Sequence, residues 1–137
     1  MRILVDTNIF LDTLMDREGL AQASQEVLDW CGAHPGEAWI AWHTLSNLFY
    51  IGAKTVGRTD AMKYLDAILL AFEIAPCGSS SARFARSLGM ADFEDALQVA
   101  AAAEADAKLI VTRNAKDFER SPIRAAKPGR FLKEITV

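Results

Sequence analysis

The sequence lacks long apolar runs and has few cysteines. No segment reaches the ~18 uninterrupted apolar residues that a membrane-spanning helix needs, and Asp6 and Asp12 interrupt the apolar stretch at the N-terminus. That stretch therefore does not have the apolar core of a secretory signal. Cys31 and Cys77 stand apart, without a CxxC pair or a histidine at ligand spacing. We expect a cytoplasmic protein without membrane contact, whose cysteines are reduced, buried and packed as small apolar side chains.

An excess of positive charge is also missing. The formal net charge is −3, which argues against a protein that binds nucleic acid tightly and without specificity. The charges are nevertheless uneven, because basic residues outnumber acidic ones in residues 113–134. The sequence thus allows a local basic rim beside an acidic site.

Short apolar runs separated by helical patterns define the expected fold. Residues 3–5 and 108–112 are rich in β-branched side chains and are typical of strands buried on both faces of a parallel sheet. Further extended segments are expected at 39–42, 73–76 and 123–126. The whole chain, 1–137, is predicted to be a single domain without linker or repeat. We predict an α/β fold with three layers, α/β/α, around a central, mostly parallel sheet of four or five strands.

Acidic residues occur in three places where a strand ends or a helix begins. Asp6 follows the first strand, Asp92 and Asp95 open an alanine-rich helix, and Asp117 follows the last strong strand. The carboxyl ends of parallel strands converge on one crevice, so these acids can meet in space. Clustered carboxylates repel one another, and a divalent cation removes that repulsion. Oxygen ligands alone favour Mg²⁺ or Mn²⁺ over Zn²⁺.

Each acid also has a simpler structural interpretation. Asp92 suits a helix N-cap, and Asp95 lies in the first helical turn, where negative charge is favourable. Asp6 could cap the helix that follows it. Asp117 could be a solvated loop acid paired with Arg113 or the nearby Lys116. Spacing by itself leaves these alternatives open.

The remaining acids, the two histidines and two of the tryptophans are expected to have structural or solvated positions. We expect Asp12 and Asp16 at the surface, His34 and His43 in structural or solvated positions, and Trp39 and Trp42 in the core.

Three motifs, in this order, resemble the PIN domain. They are the Asp-Thr-Asn of residues 6–8, the Asp-Phe-Glu-Asp-Ala-Leu-Gln of 92–98 and the Val-Thr-Arg-Asn-Ala-Lys-Asp-Phe of 111–118. The resemblance runs the whole length of the chain, to the Pro-Gly-Arg-Phe-Leu of 128–132. It is strongest to the small bacterial toxins of the VapC type.

This resemblance implies a metal-dependent endoribonuclease that is the toxin of a toxin–antitoxin pair. Such a protein hydrolyses RNA phosphodiester bonds with Mg²⁺ or Mn²⁺, binds a small antitoxin protein and forms a homodimer. The family's metal ligands fall on Asp6, Asp95 and Asp117, with Asp92 as a further catalytic acid. Positions that support the site through hydrogen bonds are Asn8, Asn47, Thr112 and Asn114. Basic residues close to the acidic motif are candidates for RNA binding, namely Arg113, Lys116 and Arg120.

One position departs from the family pattern and supports a rival interpretation. PIN domains usually carry a glutamate on the helix after the second strand, and here that position falls on the neutral Asn47. An amide oxygen can still ligate a hard cation, but the site loses one charge and would hold metal more weakly. The alternative is therefore a catalytically weak or inactive PIN-fold module that binds RNA or a protein partner. A second rival is a phosphotransferase that uses Asp6 as an aspartyl nucleophile. That chemistry would need an acid two residues after Asp6, and the neutral Asn8 at this position argues against it.

Overall fold

The computed structural model describes residues 1–136, which form one sheet between two layers of helices. The strands are β1 (Ile3–Val5), β2 (Ala38–Ile40), β3 (Glu73–Ile74), β4 (Leu109–Val111) and β5 (Ala125–Ala126). The helices are α1 (Thr7–Leu14), α2 (Ala21–Ala33), α3 (Trp42–Val56), α4 (Arg58–Ala71), α5 (Ser79–Ser87), α6 (Phe93–Glu104) and α7 (Pro128–Ile135), with a 3₁₀ turn at Ala115–Phe118. Val137, the last residue of the predicted domain, lies outside the described residues.

The sheet has the strand order β3-β2-β1-β4-β5, and all its pairings are parallel. This confirms the predicted α/β/α fold with its parallel sheet. From β1 the chain builds outward to β2 and β3, and it then crosses to the other side of β1 to add β4 and β5. The strand order therefore reverses between β1 and β4, where loops leave for opposite faces and open a crevice at the carboxyl ends of the strands.

Alternating side chains of the central strands build two cores. Ile3 and Val5 face a large cluster that includes side chains from α1, α2, α3, α4 and α7. Leu4 and Ile110 face the opposite layer, where the small residues of α6 pack closely. Both faces of β1 and β4 are fully buried, as the continuous apolar runs predict. None of the helices in residues 1–136 is long and apolar enough to cross a membrane.

Two predictions about apolar residues were wrong. Trp42 does not belong to the second strand or to the core: β2 ends at Ile40, extended Ala41 precedes the helix, and Trp42 begins α3 with 70% of its surface exposed. Cys77 is exposed, and only Cys31 is buried. An apolar run shows that a segment is suited to burial, but not where the strand stops and turns into a helix.

The predicted position of Asp12 was also wrong. It was expected at the surface, yet only 1% of its surface is exposed. Its Oδ1 accepts hydrogen bonds from Arg17 Nη1 at 2.9 Å and from Arg113 Nη1 at 2.6 Å. Buried carboxylates need such partners, and one of these two lies 101 residues away in sequence. The pattern of charges along the chain does not show that contact.

Candidate active site

A cavity of about 300 Å³ opens where β1 and β4 end. Its walls come from the β1–α1 turn, α3, α6 and the segment after β4. The residues that line it are Asp6, Thr7, Asn8, Leu11, Asn47, Ile51, Asp92, Glu94, Asp95, Arg113, Asn114 and Asp117. All four acids singled out in the sequence thus border the same cavity, although 111 positions separate the first from the last.

Asp6 is the most buried of these acids, with 3% of its surface exposed. It caps α1, because its Oδ1 accepts a hydrogen bond from the backbone N–H of Thr7 at 2.7 Å. Its Oδ2 accepts another from the hydroxyl of Thr112 at 2.8 Å. Burial, together with the negative charge of Glu94, raises the pKa of Asp6 from 3.8 to about 6, although the two hydrogen bonds act in the opposite direction. Asp6 can therefore cap α1 and also present its carboxylate to the cavity.

Thr112 connects the ends of β1 and β4. Its hydroxyl, which donates to Asp6, also lies 3.2 Å from the backbone nitrogen of Asn114 and 3.4 Å from Asn8 Nδ2. Asn8 Oδ1 in turn accepts a hydrogen bond from the backbone N–H of Arg113 at 3.2 Å. These contacts fix the Asp6 carboxylate relative to both strands. A supporting role for Asn8, Thr112 and Asn114 remains a prediction, and the hydrogen bonds show how they could exert it.

The start of α6 brings three carboxylates together. Asp92 is the N-cap, and its Oδ1 accepts the backbone N–H of Glu94 at 2.9 Å. Asp92, Glu94 and Asp95 each offer one oxygen within 4.8 Å of the other two. The first turn of a helix tolerates this density of negative charge because its free N–H groups carry partial positive charge.

Ionisation of Asp95 is opposed both by burial and by neighbouring negative charge. Burial raises its pKa to about 7, and the charges of Asp92, Asp6 and Glu94 add to the effect. Two acids of the cavity, Asp6 and Asp95, therefore titrate far above an ordinary aspartate. Burial is the main reason for both shifts and nearby carboxylates add to it, so positive charge placed among these acids would lower both pKa values.

Glu94 behaves in the opposite way. Burial opposes its charge, but hydrogen bonds with His43 and Gln98 outweigh that effect and hold the pKa of Glu94 below its ordinary value. His43 Nε2 lies 3.0 Å from Glu94 Oε1. Gln98 Nε2 donates to the same oxygen at 3.0 Å and also lies within hydrogen-bond distance of the hydroxyls of Thr7 and Thr44. Glu94 is thus a fixed negative charge in the cavity wall.

Sequence reasoning did not identify Glu94, His43 and Gln98 as parts of the site. His43 was expected to be structural or solvated, and here it contacts an acid of the cavity from α3. The third acid in the Asp-Phe-Glu-Asp motif was a usable signal, since Glu94 lies in the same helical turn as Asp95. The contact with His43 could not be found in this way, because it joins residues 51 positions apart.

Asn47 and Asp117 border the cavity without joining the cluster of three carboxylates. Asp117 is exposed in the 3₁₀ turn, as the alternative of a solvated loop acid has it, but in residues 1–136 it forms no ion pair with Arg113 or Lys116. Arg113 pairs with buried Asp12 instead.

The basic candidates differ in position. Arg113 lines the cavity, whereas Lys116 and Arg120 do not. Arg120 Nη1 donates a hydrogen bond to the backbone oxygen of Gly89 at 3.2 Å. Arg113 is therefore the basic residue placed to meet a ligand in the cavity, and the RNA-binding roles of the other two remain predictions.

Comparison with known proteins identifies the family. A family model described as "PIN domain" matches residues 2–116, most of the chain. The chain belongs to the PIN domain family. Among curated proteins, sequence comparison finds no match.

Solved structures with the same fold include proteins of toxin–antitoxin systems. This PIN domain resembles a chain of the DNA-bound VapBC complex from Salmonella typhimurium, with a TM-score of 0.73, 18% identity, and coverage of 93% of this chain and 98% of that one. A toxin–antitoxin complex from Klebsiella pneumoniae gives 0.69 at 25% identity, with 92% and 97% covered. VapC20 from Mycobacterium tuberculosis, a toxin that cleaves the sarcin–ricin loop, gives 0.65 at 14% identity, with 87% and 92% covered.

The ligand atoms of this PIN domain suit a hard cation. The cluster at the start of α6 offers carboxylate oxygens only, and Asp6 and the amide of Asn47 border the same cavity. Mg²⁺ and Mn²⁺ prefer such ligands, whereas Zn²⁺ sites usually include nitrogen or sulfur. Burial, and after it the charges of neighbouring carboxylates, raise the pKa values of Asp6 and Asp95, and a bound cation would oppose both effects. The residues present therefore fit a divalent cation.

Proposed function

We propose that this PIN domain is a metal-dependent endoribonuclease that hydrolyses RNA phosphodiester bonds and serves as the toxin of a toxin–antitoxin pair. The observation that carries the proposal is the gathering of Asp6, Asp92, Asp95 and Asp117 around one cavity at the reversal of strand order. Family membership supports the same class of chemistry. RNA turnover by such a protein would take place in the cytoplasm, the compartment that the sequence predicts.

Mg²⁺ or Mn²⁺ would be held by Asp6 and Asp95, with Asp117 as the third predicted ligand and Asp92 and Glu94 beside them. When bound, a divalent cation supplies charge neutralisation at the phosphate and increases the acidity of water. We add Glu94 to the proposed set, because hydrogen bonds with His43 and Gln98 favour its charged form. This carboxylate compensates for the charge that is missing at Asn47.

The residues around the acids would position them. Thr7 and Thr112 each donate one hydrogen bond to Asp6, so its carboxylate keeps one orientation as a ligand approaches. Gln98 joins α6 to α1 and α3 through the hydroxyls of Thr7 and Thr44. Pre-organised ligands of this kind bind a cation without first paying for reorientation.

Arg113 would hold the RNA backbone at the edge of the cavity. Its side chain is about one-third exposed while one nitrogen of the guanidinium contacts Asp12, so the rest of the group can meet a phosphate. Lys116 and Arg120 would act further along the strand. Contacts of this kind position the substrate but do not read its sequence.

Cleavage of a labelled single-stranded RNA tests the proposal. We expect the purified protein to cut RNA with Mn²⁺ or Mg²⁺, and we expect EDTA to stop the reaction. Asp6→Asn and Asp95→Asn should each reduce the rate at least a hundredfold, an order of magnitude typical of the loss of a group that binds the catalytic ion. Asp106→Asn is the matched control, because Asp106 is exposed and its φ of 53° is one that asparagine adopts readily. Equal cleavage by wild type and both site variants would contradict the proposal.

The alternative is a PIN-fold module with little or no turnover that binds RNA or a protein partner. The neutral Asn47 in the cavity wall favours it. In that case wild type and both site variants would show the same absence of cleavage with either metal. Restoring the usual acid with Asn47→Glu would distinguish a weak enzyme from a binding module, because only the weak enzyme should gain activity.

A small antitoxin and a second copy of the chain are the proposed protein partners. Several large apolar side chains between residues 20 and 72 are exposed and could be covered by a partner. They are Leu20, Trp42, Tyr50, Met62, Leu69 and Leu70. Light scattering of the purified protein, alone and with the product of a neighbouring antitoxin gene, tests both assignments. A monomer that binds no such product would contradict them.

A further inference from the structure

A second cavity, of about 380 Å³, lies where β2 and β3 end. Trp42 and His43, at the start of α3, form one wall, and residues of α5, of α6 and of the segment after β3 form the others. Cavities that hold small molecules have volumes of about 300–1,000 Å³. This cavity is therefore large enough to take up part of a ligand.

His43 and Glu94 join this cavity to the acidic one. His43 lines the second cavity, Glu94 lines the acidic cavity, and His43 Nε2 lies 3.0 Å from Glu94 Oε1. Helix α6 also borders both cavities, with Asp95 in the acidic one and Leu97, two residues later, in the second. A ligand with a phosphate at the acids would therefore have its neighbouring groups close to the second cavity.

The lining of the second cavity is mainly apolar. Leu97, Ala100 and Ala101 supply the wall that belongs to α6. Among residues 1–136, no lysine, arginine, aspartate or glutamate lines this cavity. A phosphate would lose its hydration here without gaining a charged partner. The lining instead suits an uncharged and largely apolar group.

Trp42 adds a flat aromatic surface to this cavity. Its side chain was expected in the core, yet 70% of the residue's surface is exposed. Proteins bind the unpaired bases of single-stranded RNA by stacking them on aromatic side chains, and tryptophan is one of those used. An exposed indole next to an acidic cavity is thus in a suitable place to meet a base.

We infer that the second cavity binds one nucleobase of the RNA strand, next to the phosphate that undergoes cleavage, and that this base stacks on the indole of Trp42. The base is aromatic and uncharged, so it matches the lining, while the phosphate lies at the acids on the other side of the His43–Glu94 pair. The inference rests on the proposed function, since it assigns how the same site would hold its substrate. It also gives the protein a contact with a base, in addition to contacts with the backbone.

Binding of short oligonucleotides tests the inference apart from catalysis. Fluorescence anisotropy in EDTA, which prevents metal-dependent cleavage, would compare a labelled RNA pentamer with the same sugar–phosphate chain without bases. The two probes carry equal charge, so the difference between their affinities reports the bases alone. Trp42→Ala should weaken the binding of the RNA about tenfold, as expected for the loss of one stacked base, and should leave the affinity for the base-free chain unchanged.

A second variant tests the cavity itself rather than the indole. Ala82 lines the cavity from an exposed position on α5. Ala82→Leu should narrow the cavity and weaken the binding of the RNA several-fold, again without an effect on the base-free chain. The matched controls are Ala103→Leu and Phe84→Ala, because Ala103 and Phe84 are exposed on α6 and α5 and neither lines the cavity. Both controls should bind the RNA as wild type does, and thermal unfolding would verify the folding of each variant.

Three results would overturn the inference. They are equal affinity of wild type for the two probes, unchanged binding of the RNA by both Trp42→Ala and Ala82→Leu, and an effect of Trp42→Ala on the assembly state alone, measured by light scattering. The last result would assign the cavity to a protein interface. The proposed function fails differently, since absent cleavage with Mn²⁺ would reject the nuclease while base-dependent binding persisted.

Discussion

Asp6→Asn in the metal-free protein should change how stability depends on pH. In the folded chain, burial and the charge of Glu94 raise the pKa of Asp6 from 3.8 to about 6. At low pH the carboxyl group is protonated in the folded and unfolded states alike, and ionisation costs nothing. As pH rises from about 4 to about 6, the unfolded state gives up its proton first, and the folded state loses stability. Asparagine carries no charge and avoids this loss.

The size of the effect follows from the shift in pKa. Each unit corresponds to about 1.4 kcal/mol, so the full penalty is about 3 kcal/mol for this buried side chain. About 2 kcal/mol of it should develop between pH ~4.5 and ~7.5. Against this, asparagine has one acceptor oxygen where aspartate uses two, one for Thr7 and one for Thr112. The imperfect replacement costs about 1 kcal/mol at every pH. The variant should therefore equal the wild type near pH 4.5 and exceed its stability by about 2 kcal/mol near neutral pH.

Urea denaturation in EDTA at a series of pH values measures the difference between the two proteins. Taking the difference removes the contribution of every titrating group that does not interact with Asp6. Asp95 does interact with it, and its release from the charge of Asp6 adds to the gain of the variant near neutral pH. Asp106→Asn, a change at an exposed acid that does not line the cavity, is the control variant. If the difference for Asp6→Asn varied with pH by less than about 0.5 kcal/mol, ionisation of the carboxyl group would not be opposed in the folded state. A bound cation would then have no unfavourable ionisation of Asp6 to relieve at this cavity.

Three further predictions follow from the same cavity. Mg²⁺ should raise the thermal midpoint of wild type more than that of Asp95→Asn, because the substitution removes the carboxyl group whose pKa burial and the neighbouring charges raise to about 7; equal shifts at saturating Mg²⁺ would count against Asp95 as a ligand. Gln98→Leu should destabilise the protein by about 2–3 kcal/mol in urea denaturation, because it leaves the hydroxyls of Thr7 and Thr44 and a charged Glu94 without their shared donor; a change below 0.5 kcal/mol would show that these groups find other partners. His43→Ala should raise the pKa of Glu94, measured by NMR titration of its side chain, because the hydrogen bond that holds the pKa down is lost; an unchanged titration would assign the effect to Gln98 alone.

Much of the fold could be predicted from local pattern. Continuous apolar runs indicated that β1 and β4 are buried on both faces, and the extended residues before Pro76 became the short strand β3. Pro128 begins the last helix, where proline suits the first position. These features depend on neighbouring residues, so the sequence displays them directly. Trp42 was misplaced because the boundary between an apolar strand and an apolar helix start leaves no local mark.

The acids of the cavity were predictable for a related reason. In a parallel sheet, residues that follow the strands meet at one edge, and Asp6 and Asp117 both follow strands. The hydrogen-bond partners of two other acids were not predictable. Glu94 contacts His43 of α3, 51 positions away, and buried Asp12 contacts Arg113, 101 positions away.

The sequence by itself determined the layered α/β fold, the family and the acids that face the crevice. These properties are written in the order of strands and helices and in the residue type at each strand end. Only the tertiary structure decided which side of β1 receives β4, which carboxylates are opposed by burial and nearby charge, and which are stabilised by hydrogen bonds. Charge interactions and hydrogen bonds depend on distance and burial, and both are fixed only when helices distant in sequence pack against the same sheet.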